Sequence, residues 1–270
     1  MEKYSQIYTI TGADIDAEYR IAPKAVVALF QDCFANYCAS KQLAAFDIIA
    51  QDQMWVISDF RLRFKHRLPF WTEQVRVEIW MSEITPLRFY TDFYIYTHDE
   101  IIFAEGYSCW NILNASTKRI LPTTLLQGRF QIIPEWTLNG HPKMECTHDN
   151  IPQMTSKHLI NLTDLDFNRH VNNRSYLSIA LNTTPIDFLE SNTLRTLQVK
   201  FHRESFLHDH ITCTLYTHNN RSDELSHIIV RNEDQAEICT IISSWEDKKK
   251  LISITEYMNA LRRNTDSEVS

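Results

Sequence analysis

Glycine is scarce in this chain. Only Gly12, Gly106, Gly128 and Gly140 occur in 270 residues, each isolated. No phosphate-binding loop, dinucleotide fingerprint or G-x-S-x-G elbow can be written from them, which argues against P-loop, Rossmann and α/β-hydrolase architectures. No H-E-x-x-H occurs. No apolar run reaches the roughly 18 residues of a membrane-spanning helix. The N-terminal Met-Glu-Lys-Tyr-Ser-Gln lacks the apolar centre of a signal peptide. The cysteines, Cys33, Cys38, Cys109, Cys146, Cys213 and Cys239, show no C-x-x-C spacing and lie mostly in apolar patterns. Buried free thiols in a reducing cytoplasm are therefore expected. A formal charge of −7 lacks the basic footprint of a nucleic-acid binder.

What is present is ample apolar material, 44% of the chain, and enough length for one large domain or two of about 125 residues. Residues 4–11 read as a strand. Pro23 opens a helix where its missing N–H costs nothing. Val26, Leu29, Phe30, Cys33, Phe34 and Tyr37 recur at helical spacing to about Lys41, the stripe of a core helix. Strands follow at 55–65, 74–81, 89–97 and 102–113, with His98-Asp99-Glu100 as a tight turn. One helix followed by several strands, without alternation, indicates an α+β fold. Residues 121–155 carry scattered Pro and Gly and read as a linker that packs down through Ile132, Ile133 and Trp136.

The order then recurs: a strand at 158–163, a helix ending near Thr184 before Pro185, and strands at 194–202, 211–218, 225–231 and 236–245. Asp14-Ile-Asp16-Ala-Glu18-Tyr-Arg20-Ile lies on Asp164-Leu-Asp166-Phe-Asn168-Arg-His170-Val at an offset of 150. Residues 67–80 lie on 203–216 at an offset of 136, and Ser108-Cys-Trp110 echoes Ser244-Trp245. Two copies of one helix-plus-sheet unit follow: 1–120, a linker at 121–155, a second unit at 156–247, and a charged tail at 248–270. In the tail, Leu251, Ile254, Tyr257, Met258 and Leu261 are spaced for a terminal helix.

Chemistry concentrates in one stretch, 162–176, with Asp164, Asp166, Asn168, His170, Asn172 and Asn173 just before a helix. Asn172 or Asn173 is the expected N-cap, so the cluster meets the positive end of a helix. Free amides near Val171 and Asn172 are candidate oxyanion donors. The first copy has Glu18, Arg20 and Leu68 where the second has Asn168, His170 and Glu204, so it keeps the shape without the polar set. Asp164 reads as a turn residue. His202 and His208-Asp-His210 read as turn residues and not as metal ligands.

The run Asp-x-Asn-x-His-Val-Asn-Asn, with Tyr176 behind it, resembles the signature of acyl-acyl carrier protein thioesterases of the hot dog fold. Arg203-Glu204 matches a second family segment, in which Ser205 replaces a cysteine. The resemblance covers most of the chain. It implies two tandem hot dog units, each a long helix wrapped by an antiparallel sheet, with the acyl pocket in the first. It implies Asp166, Asn168, His170 and Glu204 as the catalytic set. Asn172 and Ser205, with the pocket candidates Phe30, Phe34, Trp55 and Ile57, would contact substrate. The implied reaction is hydrolysis of fatty acyl-acyl carrier protein by carboxylate-assisted attack of water, with no metal or cofactor. The implied partner is the acyl-loaded carrier, met in the cytoplasm by a monomer or homodimer. Hydrolysis of acyl-CoA, acyl binding without turnover and a hot dog dehydratase are the competing readings.

Overall fold

The computed structural model describes residues 3–65, 68–144, 150–166, 168–218 and 221–248. Strand β1 (Tyr4–Thr9) is followed by helix α1 (Pro23–Ser40), a short α2 (Ala45–Ile48), then β2 (Gln53–Phe64), β3 (Gln74–Ile84), β4 (Phe89–Thr97), β5 (Ile102–Asn114) and the two-residue β6 (Ile120–Leu121). The second half runs β7 (Asn150–Leu159), α3 (Asn173–Asn182), α4 (Ile186–Ser191), β8 (Asn192–Phe201), β9 (His210–His218), β10 (Arg221–Arg231) and β11 (Glu237–Asp247). All the paired strands are antiparallel, in the order β1-β3-β4-β5-β2-β8-β11-β10-β9-β7, with β6 on β5. The order reads identically from either edge inward, and β2 and β8 join the halves through Asp59–Lys200 to Arg63–Thr196. This is the α+β architecture expected, a hot dog unit repeated.

The repeat extends to single hydrogen bonds. Asp16 N donates to Arg20 O at 2.8 Å, and Asp166 N donates to His170 O at 2.8 Å. Ile21 N reaches Pro69 O at 2.9 Å where Val171 N reaches Ser205 O at 3.1 Å. Tyr19 and Arg169 both take φ of 61°, a left-handed turn that a non-glycine residue adopts only when its neighbours hold it there. The tryptophan echo needs correcting by one residue. Trp110 Nε1 donates to Ser108 Oγ at 2.8 Å and Trp245 Nε1 to Ser243 Oγ at 2.9 Å, so the shared motif is Ser-x-Trp.

Helix α1 buries Val26, Phe30, Cys33 and Phe34 against the N-terminal sheet. Each such large side chain contributes about 2–3 kcal/mol by leaving water. Gly106 in β5 is required by close packing: a Cβ there would lie 2.0 Å from Arg61 O and 2.8 Å from the Phe93 ring. The cysteines among the described residues are buried and unpaired.

One expected boundary moves, and two neighbouring expectations are refined. Residues 150–155, expected in the linker, already belong to β7, so the second unit starts its sheet earlier than 156. Pro185 ends one helix and caps the next, because its ring is accepted at a helix start: α4 follows at once. The linker does pack down, but Trp136 and Ile132 stay half exposed. Phe130 and Thr137 are the buried anchors, and Ile133 N donates to Met81 O at 2.8 Å. The terminal helix and Cys146 lie outside the described residues.

The linker is also held by a charged cluster on the outer face of the N-terminal sheet. Asp92, fully buried, accepts from Thr137 N and Oγ1, each at 2.8 Å. His141 places Nε2 2.8 Å from Asp92 Oδ2 and Nδ1 3.2 Å from Glu83 Oε2, and its ring stacks on Tyr90 at 4.3 Å. This cover explains why most of β5 is buried on both faces.

Candidate active site

The loop 164–172 is shaped by its own carboxylates. Asp164 Oδ2 accepts from Asn161 N at 2.9 Å and meets His158 Nε2 at 2.9 Å, the turn role expected of it. Asp166 Oδ1 accepts the amides of Asn168 and His170 at 2.8 and 3.2 Å, curling the loop back toward α3. Asn172 is the N-cap, its side chain accepting from Arg174 N at 2.9 Å. The Val171 amide is taken by Ser205 O and the Asn172 amide by Asp164 O. These two amides, expected as oxyanion donors, are therefore engaged in holding the loop.

The segment after β8 crosses the mouth of α3 and delivers Glu204. His170 Nδ1 stands 3.4 Å from Glu204 Oε1, within ion-pair reach and long for a hydrogen bond. Both side chains are part-buried, and Phe206 packs edge-on against the imidazole at 5.2 Å. Asn168 is exposed at the same loop. Ser205 has no solvent exposure, and its hydroxyl makes no hydrogen bond within ordinary limits. It sits beside Tyr176, whose phenol burial raises above the usual tyrosine range.

Two residues that pattern reading missed hold this segment. Arg231 Nη1 donates to Glu204 O at 3.2 Å and lies 3.5 Å from Asp209 Oδ2, which in turn accepts from Phe206 N at 3.0 Å. Asp209 had a signal, since Glu73 caps Phe70 N in the same way at 2.9 Å in the first copy. Arg231 had none, because a lone arginine at a strand end looks like any solvated one.

The pocket candidates are packed together inside the N-terminal unit. Phe30 stacks on Phe93 at 4.5 Å and 8°, and Phe34 on Trp110 at 3.9 Å and 13°. Trp55 meets Phe34 edge-on at 5.4 Å and donates Nε1 to Leu43 O at 2.9 Å. Ile57 is buried next to them. At the first copy's own loop, Arg20 takes the place of His170, its guanidinium 4.2 Å over Phe70 and bonded to Leu68 O at 3.2 Å. Among the described residues no group of three His, Cys, Asp or Glu could hold a metal.

Residues 1–124 match the family model of the acyl-ACP thioesterase N-terminal domain, and 148–247 that of the C-terminal domain. The chain belongs to the acyl-ACP thioesterase family. A chloroplastic palmitoyl-acyl carrier protein thioesterase of Gossypium hirsutum is 24% identical over 218 residues, 74% of this chain and 52% of that one. One from Cuphea hookeriana is 23% identical over 270 residues, 93% of this chain and 64% of that one. The chain thus spans about half the length of the first curated relative. An acyl-ACP thioesterase structure from Bacteroides thetaiotaomicron superposes with a TM-score of 0.78 at 16% identity, covering 90% of this chain and 97% of that one. The 12:0-ACP thioesterase of Umbellularia californica gives 0.77 at 16% identity, covering 91% and 98%. These likenesses establish the double hot dog fold of this thioesterase family member. No described helix is long and apolar enough to cross a membrane.

Proposed function

We propose that the chain hydrolyses the thioester of fatty acyl-acyl carrier protein, releasing the free fatty acid. The observation that carries this reading is the His170–Glu204 pair at the head of α3. The same backbone in the first copy carries Arg20 and Leu68 instead. Glu204, facing Nδ1, holds a proton on that nitrogen and leaves Nε2 as the base. Nε2 takes a proton from water as its oxygen bonds to the thioester carbon. The C–S bond then breaks, and the proton passes to the departing carrier thiolate. Asn168 is the exposed donor for the carbonyl oxygen. Asp166 sets the loop, Asn172 caps α3, and buried Ser205 serves packing. Of the pocket candidates, Phe30, Phe34 and Ile57 are closed off in the packed core of the first unit and Trp55 alone is partly exposed, so the units divide into a filled half and a catalytic half. The carrier is the partner, and the five cysteines among the described residues, buried and unpaired, fit a cytoplasmic setting.

The test is thiol release from a panel of acyl-acyl carrier proteins and the matching acyl-CoAs. His170→Ala and Glu204→Ala should each lose about 10²–10⁴-fold in kcat. Ser205→Ala should stay within about threefold of wild type, since its hydroxyl is buried away from the pair. Retained turnover in both His170→Ala and Glu204→Ala would end the proposal, as would absence of turnover by the wild type on every carrier.

A further inference from the structure

The two units end in unlike edges. Strand β7 closes the sheet at one side and β1 at the other, each with a single neighbour among the described residues. An edge strand is a template for another strand unless something blunts it. β7 is blunted. Pro152 supplies no N–H, the register shifts between Pro152 and Met154, and the exposed Lys157 follows.

β1 has none of these devices. Its sequence, Tyr4-Ser-Gln-Ile-Tyr-Thr9, holds no proline and no charged residue. It pairs with β3 in unbroken register, from Tyr4–Ile79 to Thr9–Gln74. The cation next to it, Lys3, is engaged over the sheet face: Nζ lies 2.8 Å from Glu135 Oε1 and 3.8 Å over the Trp80 ring.

The backbone shows which groups β1 presents. Ile10 N donates to Glu73 O and Ile10 O accepts from Thr72 N, each at 3.0 Å. Ile10 therefore turns its polar groups toward β3, and strand alternation turns those of Tyr8, Gln6 and Tyr4 the same way. Ser5, Ile7 and Thr9 turn their N–H and C=O groups to the open side. All three side chains are exposed, Ile7 at 63%.

This edge matches itself. With Ile7 opposite Ile7 of a second, antiparallel copy, Ser5 falls opposite Thr9 and Thr9 opposite Ser5. Residues directly opposite then exchange both of their bonds, so all the outward groups of Ser5, Ile7 and Thr9 are satisfied. The isoleucines cover each other, hydroxyls meet hydroxyls, and no charge faces its own copy. A β1-to-β7 contact would repeat into a filament, but Pro152 and the shifted register oppose it. Pairing therefore closes at two copies.

We infer that β1 is an interface for a second copy of this chain. Two molecules join edge to edge about Ile7, and their sheets run on as one. The inference does not rest on the thioesterase reading.

The test is sedimentation velocity of the full chain over a dilution series. The wild type should pass from dimer to monomer on dilution. Ile7→Pro removes an N–H that faces away from β3, and it should raise the dissociation constant at least tenfold. Ile7→Lys sets like charges opposite each other and should do the same. Should Ile7→Pro fail to melt cooperatively, Ile7→Lys decides. Ile7→Cys should form a disulfide-linked dimer with oxidised glutathione, because opposed strand residues lie within disulfide reach. Ser5→Cys should not, since Ser5 stands opposite Thr9. The wild type beside them gives the background of the native thiols. A wild type that stays monomeric at every concentration overturns the inference. So does a dimer that neither Ile7→Pro nor Ile7→Lys weakens, since its interface then lies elsewhere. Equal cross-linking of Ile7→Cys and Ser5→Cys overturns it too. A chain that dimerises through β1 but cleaves no thioester would refute only the function proposed above.

Discussion

In the loop before α1, Asp16 Oδ1 receives the amides of Glu18 and Arg20 at 2.8 and 3.1 Å; in the loop before α3, Asp166 Oδ1 receives those of Asn168 and His170 at 2.8 and 3.2 Å. The backbone has been kept and the side chains exchanged. An aspartate present in both copies, doing the same thing in each, is explained by the turn it makes. A pair present in only one copy needs another explanation, and His170–Glu204 is that pair. The comparison separates what builds the loop from what the loop presents. The interiors teach the converse. The first unit is filled with stacked rings, and the second has exchanged them for small and polar groups. Ala180 and Thr184 stand in the places of Phe30 and Phe34 at the offset of 150, and by strand register His227 stands in that of Phe93.

Four substitutions would break or sharpen this contrast. The largest effect is expected from Phe34→Ala. It removes a ring stacked at 3.9 Å on Trp110 and should cost about 3–5 kcal/mol in urea unfolding. A loss below about 1 kcal/mol would mean that the first unit is not the tightly packed one. Next is His141→Ala, which leaves the buried Asp92 carboxylate facing an empty place. A loss of about 3 kcal/mol is expected, with new proteolytic cleavage between residues 131 and 142. Unchanged protection there would show that backbone contacts alone hold the linker.

The third concerns pH. Burial pushes His227 down to about 4, below the roughly 6.5 of an unfolded histidine. The unfolded chain therefore binds the proton first. The stability tied to neutral His227 is complete above about pH 6.5 and is lost as pH falls toward 4, up to about 3 kcal/mol. His227→Phe, the first unit's choice, should flatten stability in that window, read from urea midpoints at each pH. An unaltered slope would assign the acid loss to other groups. The smallest effect is Asn172→Ala, about 1 kcal/mol, because one N-cap bond at α3 is lost. No equivalent exists at α1, where Ala22 caps without a side chain.

The strands and helices were legible because apolar spacing of two or 3.6 reports which face is buried, and the repeat was legible because turn carboxylates recur at a fixed offset. The Ser-x-Trp register slipped by one, since neighbouring serines are indistinguishable until an indole N–H chooses between them. Strand β7 was hidden by Pro152 and polar residues, which an edge strand tolerates because one side of it has no partner. The engaged amides of Val171 and Asn172 could not be foreseen, because their acceptors come from packing and not from pattern.

What the amino-acid order by itself determined is the list of local instructions: where helices start, which faces are apolar, and which copy carries His170 and Glu204. Only the tertiary structure decided that these two side chains meet. They are 34 positions apart in the chain, and a contact at 3.4 Å depends on Ser205 O accepting from Val171 N and on Arg231 bracing Glu204 O. It alone decided, too, that His227 is buried against Thr184, whose Oγ1 lies 3.0 Å from Nε2. An imidazole on a strand states its polarity, but whether it is paired depends on the volume of the side chains opposite, here Ala180 and Thr184.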